Sequence, residues 1–174
     1  MSIETVVFVG DELSRHRFPD GHPVNSIDRQ AAFWAEAVAR GLHKRVVIGL
    51  PRLATREELE RFHNPDYVSW VKFRSEIGDG YLDGGDNRTQ RFGQEHHLQQ
   101  HLRRIGNGHH VDGDTPAFPG AFERGAVFSG TALEGLDRIM KGQTFRTFQP
   151  IGGQHHARPS SAAGFCVFND LGVS

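Results

Sequence analysis

Apolar residues along this chain recur in two rhythms. Thr5 to Val9 (TVVFV) and Arg45 to Gly49 (RVVIG) are short apolar runs ended by glycine, and each reads as a buried strand. Phe145 to Ile151 is a third strand candidate, followed by Gly152-Gly153. Between these runs the spacing changes to threes and fours. Ile27, Ala31, Trp34, Val38 and Leu42 mark one face of a helix. Phe122, Ala126, Ser129, Leu133, Leu136 and Met140 mark the longest helix, stopped by Gly142. Thr55 with Glu58 forms a capping-box pattern that opens a short helix to about Phe62. Asn64-Pro65 supplies an N-cap and a first-turn proline for a helix to about Ile77. Asp11 to Ser26, broken by Pro19, Gly21 and Pro23, reads as a polar loop.

Gly78 to Gly113 departs from both rhythms. It is rich in Gly, Asp, Asn, Gln and His, and reads as a long surface excursion with a short helix near Glu95 to Arg104. The order of elements predicts an α/β fold: three layers, with a parallel sheet between helices. The 174 residues form one domain on this reading. In such sheets active sites lie beyond the carboxyl ends of strands. Gly152-Gly153-Gln154-His155-His156 stands at that place after the third strand.

Composition narrows the function classes. A formal net charge of -1, with no concentrated basic patch, argues against a nucleic-acid or membrane surface. No run approaches the roughly 20 apolar residues of a bilayer span, and Met1 to Thr5 is unlike a secretory leader. A single cysteine, Cys166, rules out an internal disulfide framework and fits a reducing compartment. A cytoplasmic protein is therefore expected. Eleven histidines point toward chemistry, because imidazole exchanges protons near neutral pH. On a glycine-flanked loop, His155 and His156 can both face one pocket. His96-His97 and His109-His110 read as surface or structural pairs. His109, His110, Asp112 and Asp114 are nearby candidates for a separate metal site, at a spacing that follows no familiar ligand pattern.

Pro150-Ile-Gly-Gly-Gln-His-His-Ala157 followed by Ala163-Gly-Phe-Cys-Val-Phe-Asn-Asp170 closely resembles the signature of the histone deacetylase and acetoin-utilisation protein family. Gly21-His22-Pro23 with Arg29, Phe62-His63 with Tyr67-Val68, and Gly113-Asp-Thr-Pro-Ala-Phe-Pro-Gly120 match further segments in the right order. The resemblance runs from about Val6 to the last residue and implies a deacetylase-like fold, that of the arginase-deacetylase superfamily. It implies that His155 and His156 handle the proton of a zinc-bound water. It implies that Asp114 holds the substrate backbone, and that Gly164 and Phe165 wall a narrow tunnel. Arg29 is implied for an internal channel, at a spacing from His22 one residue longer than usual. The competing readings are a turn for Asp114, plain core for Phe165, a small buried residue for Cys166, and structural roles for His22 and His63.

The family's zinc ligands, an Asp-x-His and a later Asp, and its carbonyl-polarising tyrosine lie further along than Ser174. Asp20-Gly21-His22 is the one Asp-x-His in the chain and sits in the early loop. Without zinc a water keeps a pKa near 16 instead of about 7. Gln154 replaces a large apolar residue, and Gly172 interrupts a run that continues as a helix in the family. The expectation is thus the amino-terminal half of a deacetylase domain, with no metal ligands and no cofactor of its own, inactive alone. The alternative is a half-enzyme completed by a second chain. For the chain without such a partner, a homodimer or higher even oligomer is expected through the cut sheet edge at the third strand or through the Gly164 to Ser174 segment.

Overall fold

The computed structural model describes residues 5–15, 17–22, 28–83 and 113–174. Three strands form a parallel sheet in the order β2-β1-β3: β1 is Val6–Phe8, β2 is Val47–Gly49 and β3 is Thr147–Phe148. Val6, Val7 and Phe8 pair with Val47, Ile48 and Gly49 on one side. Val6 and Val7 pair with Thr147 and Phe148 on the other. β1 is buried along its whole length, as a central strand must be. β2 and β3 each carry exposed positions, Ile48 and Phe148 among them.

All three strands are shorter than the apolar runs that predict them. β1 offers just three residues to pair with, so its neighbours can be no longer in register. Leu42–Arg45 instead forms a 3-10 turn ahead of β2, entered through the left-handed Gly41. Pro150, without an N–H, ends the run after β3.

The helices are α1 (Glu12–Arg15), α2 (Arg29–Ala39), α3 (Arg56–Leu59), α4 (Pro65–Ile77) and α5 (Ala121–Met140). α1 falls inside the segment predicted as loop. Its one buried residue, Leu13, is too short a signal to show a period. The expected apolar face of α2 is also corrected. Gln30 and Ala37 are buried, whereas Ala31, Val38 and Leu42 are exposed. The helix turns Gln30 inward because its carboxamide donates to the Gly10 carbonyl at 2.8 Å and accepts from the Gly10 N–H at 3.4 Å. Phe33 then meets Phe148 of β3, with ring centroids 5.3 Å apart.

The capping box of α3 forms as predicted: the Thr55 side chain accepts from the Glu58 N–H, and the Glu58 carboxylate accepts from the Thr55 N–H. α4 starts at Pro65 and stops at the left-handed Gly78. α5 has no side-chain cap of its own. Ser75 of α4 supplies one, accepting from the Gly120 and Phe122 N–H groups while donating to the Phe118 carbonyl. This ties two helices at the point where their faces bury Tyr67, Val68, Val71, Ala121 and Ala126. Phe168 and Val167 from the carboxyl-terminal segment complete the same core. The Tyr67 hydroxyl donates to the Val167 carbonyl at 2.8 Å, which satisfies the phenol inside it.

Candidate functional site

Beyond β3 the chain turns through Gly152 and Gly153, and two carboxylate oxygens fix that turn. Asp170 accepts from the Gly153 N–H at 2.8 Å and the Gln154 N–H at 2.7 Å. Burial pushes the Asp170 carboxyl up, and the backbone donors pull against it. Gly153 has φ +73°, a conformation glycine adopts freely. The His155 Nδ1 lies 2.8 Å from the Gly153 carbonyl. The His155 and His156 rings then stand side by side, centroids 4.2 Å apart and tilted by 39°. His156 also lies against Gly164, where a Cβ would come within 2.7 Å of its ring. No side chain larger than hydrogen fits there, and Gly164 also has φ +58°.

Phe165 follows with φ +66°, a left-handed conformation at a bulky residue. Its N–H explains how that conformation is held, donating to Asp114 Oδ1 at 3.1 Å and Thr115 Oγ1 at 3.1 Å. Its ring meets His22 edge-on at 5.1 Å, and His22 stacks on Phe18 at 4.2 Å. His22 Nε2 lies 3.1 Å from the Asp114 carbonyl. Asp114 is hydrogen-bonded to Asp83 as well. Burial raises the Asp83 carboxyl. At Asp114 burial acts upward too, but hydrogen bonds from Thr115, Phe165 and Asp83 outweigh it and hold the group low. Asp83 is thus the carboxyl pushed up and Asp114 the one held low, with Asp114 accepting from the Phe165 N–H.

A cleft of about 420 Å³ joins these parts. His155, His156, Gly164, Phe165 and Cys166 line it together with Arg17, Asp28, Arg29 and Arg124. Arg29 starts α2, while Arg17 donates to the Asp28 carboxylate at 2.5 Å. The Arg124 guanidinium lies between the Phe18 and Phe128 rings, 4.6 and 4.8 Å from their centroids. Burial lowers its pKa to about 10, and the Arg29 charge acts in the same direction. Burial raises the Cys166 thiol, which keeps it protonated.

The structure thus gathers His155, His156, Gly164, Phe165 and Arg29 around one cleft, with Asp114 held to the Phe165 N–H. His109, His110 and Asp112 lie outside the described residues, as do His96, His97 and the helix expected near Glu95 to Arg104. Asp83, Arg17 and Arg124 were not picked out from sequence. A lone aspartate before a glycine run and arginines on unrelated segments carry no local pattern. Asn169 and Asp170 were legible as motif letters, but their contacts were not. Among the described residues no three His, Cys, Asp or Glu side chains form a group that could hold a metal ion. A catalytic zinc wants three protein ligands and an open position. The described residues therefore do not by themselves fit the resident zinc that the resemblance implies.

Fold and cleft together define an α/β protein that presents an imidazole pair beyond the carboxyl ends of a parallel sheet. The family model described as the histone deacetylase domain matches residues 22–174, and the chain belongs to that family. The acetoin utilization protein AcuC of Staphylococcus aureus (strain MSSA476) is 28% identical over 174 residues, covering 99% of this chain and 39% of that protein. AcuC of Bacillus subtilis (strain 168) is 32% identical over 124 residues, covering 71% of this chain and 27% of its own. The crystal structure of the HDA15 HD domain superposes with a TM-score of 0.73 at 21% identity, over 99% of this chain and 42% of that one. That likeness supports a deacetylase-like α/β fold. The chain spans about two fifths of the length of the Staphylococcus aureus AcuC.

Proposed function

We propose that this chain forms the proton-transfer and substrate-rim side of an acetyl-amide hydrolase site. In this reading His155 and His156 take and return the proton of the attacking water. Asp114 accepts from the substrate backbone, Gly164 and Phe165 flank the acetylated side chain, and Arg29 borders the inner end. The observation that carries the reading is the imidazole pair, 4.2 Å apart beside Gly164 and Phe165 in one cleft. The single cysteine and the absence, among the described residues, of a helix long and apolar enough to cross a membrane support a cytoplasmic setting within the same proposal.

Metal chemistry enters this reading from outside these 174 residues. A zinc ion supplied with its ligands by a further segment would activate the water, which histidines alone do not do for an unactivated amide. The 174-residue chain is therefore expected to be inactive by itself. A second chain carrying the ligand segment is the alternative route to activity. The test is hydrolysis of an acetyl-lysine peptide, with added zinc, by the purified chain and by the chain co-expressed with a carboxyl-terminal deacetylase segment. No turnover is expected alone, and turnover that is lost in His155→Ala is expected on co-expression. Zinc-dependent turnover by the chain alone, abolished by His155→Ala, would overturn the inactive reading. Co-expressed turnover indifferent to His155→Ala would overturn the assigned role of the pair.

A further inference from the structure

Neighbouring residues in an extended chain point to opposite faces, so two adjacent imidazoles sharing a cleft need a bent and firmly held backbone. The Gly153–Gln154 end of that backbone is held by Asp170. The other end is held by a side chain with no assigned role. Asn169 Nδ2 donates to the Ala157 carbonyl at 2.9 Å and to the His155 carbonyl at 3.3 Å, so one carboxamide reaches the chain on both sides of His156.

Each remaining polar group of Asn169 is also used. Its Oδ1 accepts from the Gly172 N–H at 2.8 Å, and its carbonyl accepts from the Val173 N–H at 3.2 Å. Its own N–H donates to His63 Nε2 at 2.9 Å. These partners fix which way the amide points, since two carbonyls can only accept and the Gly172 N–H can only donate. They also fix the protonation of His63. An imidazole that accepts at Nε2 must be neutral there, and His63 is buried with 1% exposure beneath Phe62, Tyr67 and Phe168. Its Nδ1 lies toward the Arg158 and Pro159 carbonyls without a hydrogen bond of normal geometry.

We propose that Asn169, anchored from beneath by neutral His63, is the positioning residue that keeps the His155 and His156 imidazoles side by side on the cleft. The proposal rests on the proton-transfer reading of that pair for its functional meaning, but its test reads ring geometry and not hydrolysis. Aspartate has the shape of asparagine and would set a carboxylate oxygen against two carbonyl oxygens, so Asn169→Asp removes both donated bonds without changing volume.

Nuclear magnetic resonance on the 174-residue chain decides it. In Asn169→Asp the ring carbon-bound proton resonances of His155 and His156 should shift, and the cross-peaks between the two rings should vanish. The Gly153 and Gln154 amides, held by Asp170, should stay where they are. His63→Gln keeps an acceptor for the Asn169 N–H and should preserve the inter-ring cross-peaks, whereas His63→Leu should lose them. The unaltered chain provides a check that needs no variant to fold: a through-hydrogen-bond nitrogen–nitrogen coupling between Asn169 N and His63 Nε2 is expected. Absence of that coupling, or unchanged ring resonances and cross-peaks in a folded Asn169→Asp chain, would overturn the proposal. Either result can occur whether or not the completed site hydrolyses an amide.

Discussion

Burial holds the His63 imidazole down at about 4, well below its ordinary 6.5, and the carbonyls of Pro159 and Arg158 only partly oppose it. The unfolded chain therefore binds more protons than the folded one between those two values. Stability supplied by the neutral ring is complete above about pH 6.5 and drains away as pH falls toward 4. At 1.36 kcal/mol per pH unit the window is worth about 3 kcal/mol, a large share of the stability of a domain this size. The raised carboxyls of Asp83 and Asp170 work in the opposite sense, because a raised acid stabilises most when protonated. A comparison with His63→Gln separates the two effects. Urea unfolding at pH 7 and at pH 4.5 should show the unaltered chain losing roughly 2 to 3 kcal/mol more than the variant. Equal losses in the two chains would mean that His63 is not held neutral. The same residue shows what sequence can mark without explaining. Phe62-His63 was legible as a motif, yet the partner that gives the histidine its work lies 106 positions away at Asn169.

At the scale of elements, α5 is the helix on which most of the molecule rests, and glycine makes the contact. The strand-to-helix connection through Arg52, Leu53 and Ala54 runs directly over Gly130, with the Ala54 N–H donating to the Ala126 carbonyl at 2.8 Å. A Cβ on Gly130 would lie 2.3 Å from the Ala54 nitrogen and 2.4 Å from the Arg52 oxygen. These are backbone atoms and cannot swing aside. Gly130→Ala is expected to cost about 3 kcal/mol even though alanine favours helix, because overpacking outweighs propensity. Gly142→Ala is the control: it stands in open space at φ +65° and should cost about 1 kcal/mol from the left-handed backbone alone. Thermal melts of the two variants give the comparison, and a Gly130→Ala chain as stable as the parent would contradict the packing. The helix periods told where α4 and α5 run, since turn chemistry at Asn64-Pro65, Gly78 and Gly142 is written locally. They misjudged the faces of α2 and the end of α5, where Met140 is 77% exposed. A period names an apolar stripe, and only a neighbour makes the stripe buried.

For the whole molecule, the open side of the sheet is the feature that bears on association. β3 is hydrogen-bonded to β1 on one side, and among the described strands nothing pairs with its other side. Phe145 and Phe148 are exposed at 72% and 47% near that edge. Such an edge is a template for another strand, and an isologous contact between two copies needs no second gene product. We propose that the chain on its own forms a homodimer through β3 or the Gly164–Ser174 segment. Sedimentation equilibrium at micromolar concentration should report twice the 19.4 kDa of one chain. Phe148→Lys, which places charge on the edge, should shift the species toward the monomer. A single 19.4 kDa species in the unaltered chain would refute the dimer.

The sequence by itself determined what is decided within a few residues: the apolar β1, the capping box at Thr55 and Glu58, the helix stops, and the Gly-Gly turn that sets His155 and His156 beyond β3. Its motifs also named the family, because several short segments match the family's signature in the right order. Only the tertiary structure decided which face of α2 is buried, how short the strands are, and that burial raises the Asp83 carboxyl while hydrogen bonds hold Asp114 low. It also brought Arg29 and Arg124 to one cleft and set Asn169 behind the histidine pair. The physical reason is one of range. Caps, turns and periods are short-range interactions that a linear pattern records. Desolvation, hydrogen bonds such as Phe165 to Asp114 across 51 positions, and the limits of a sheet register exist only after distant segments have packed.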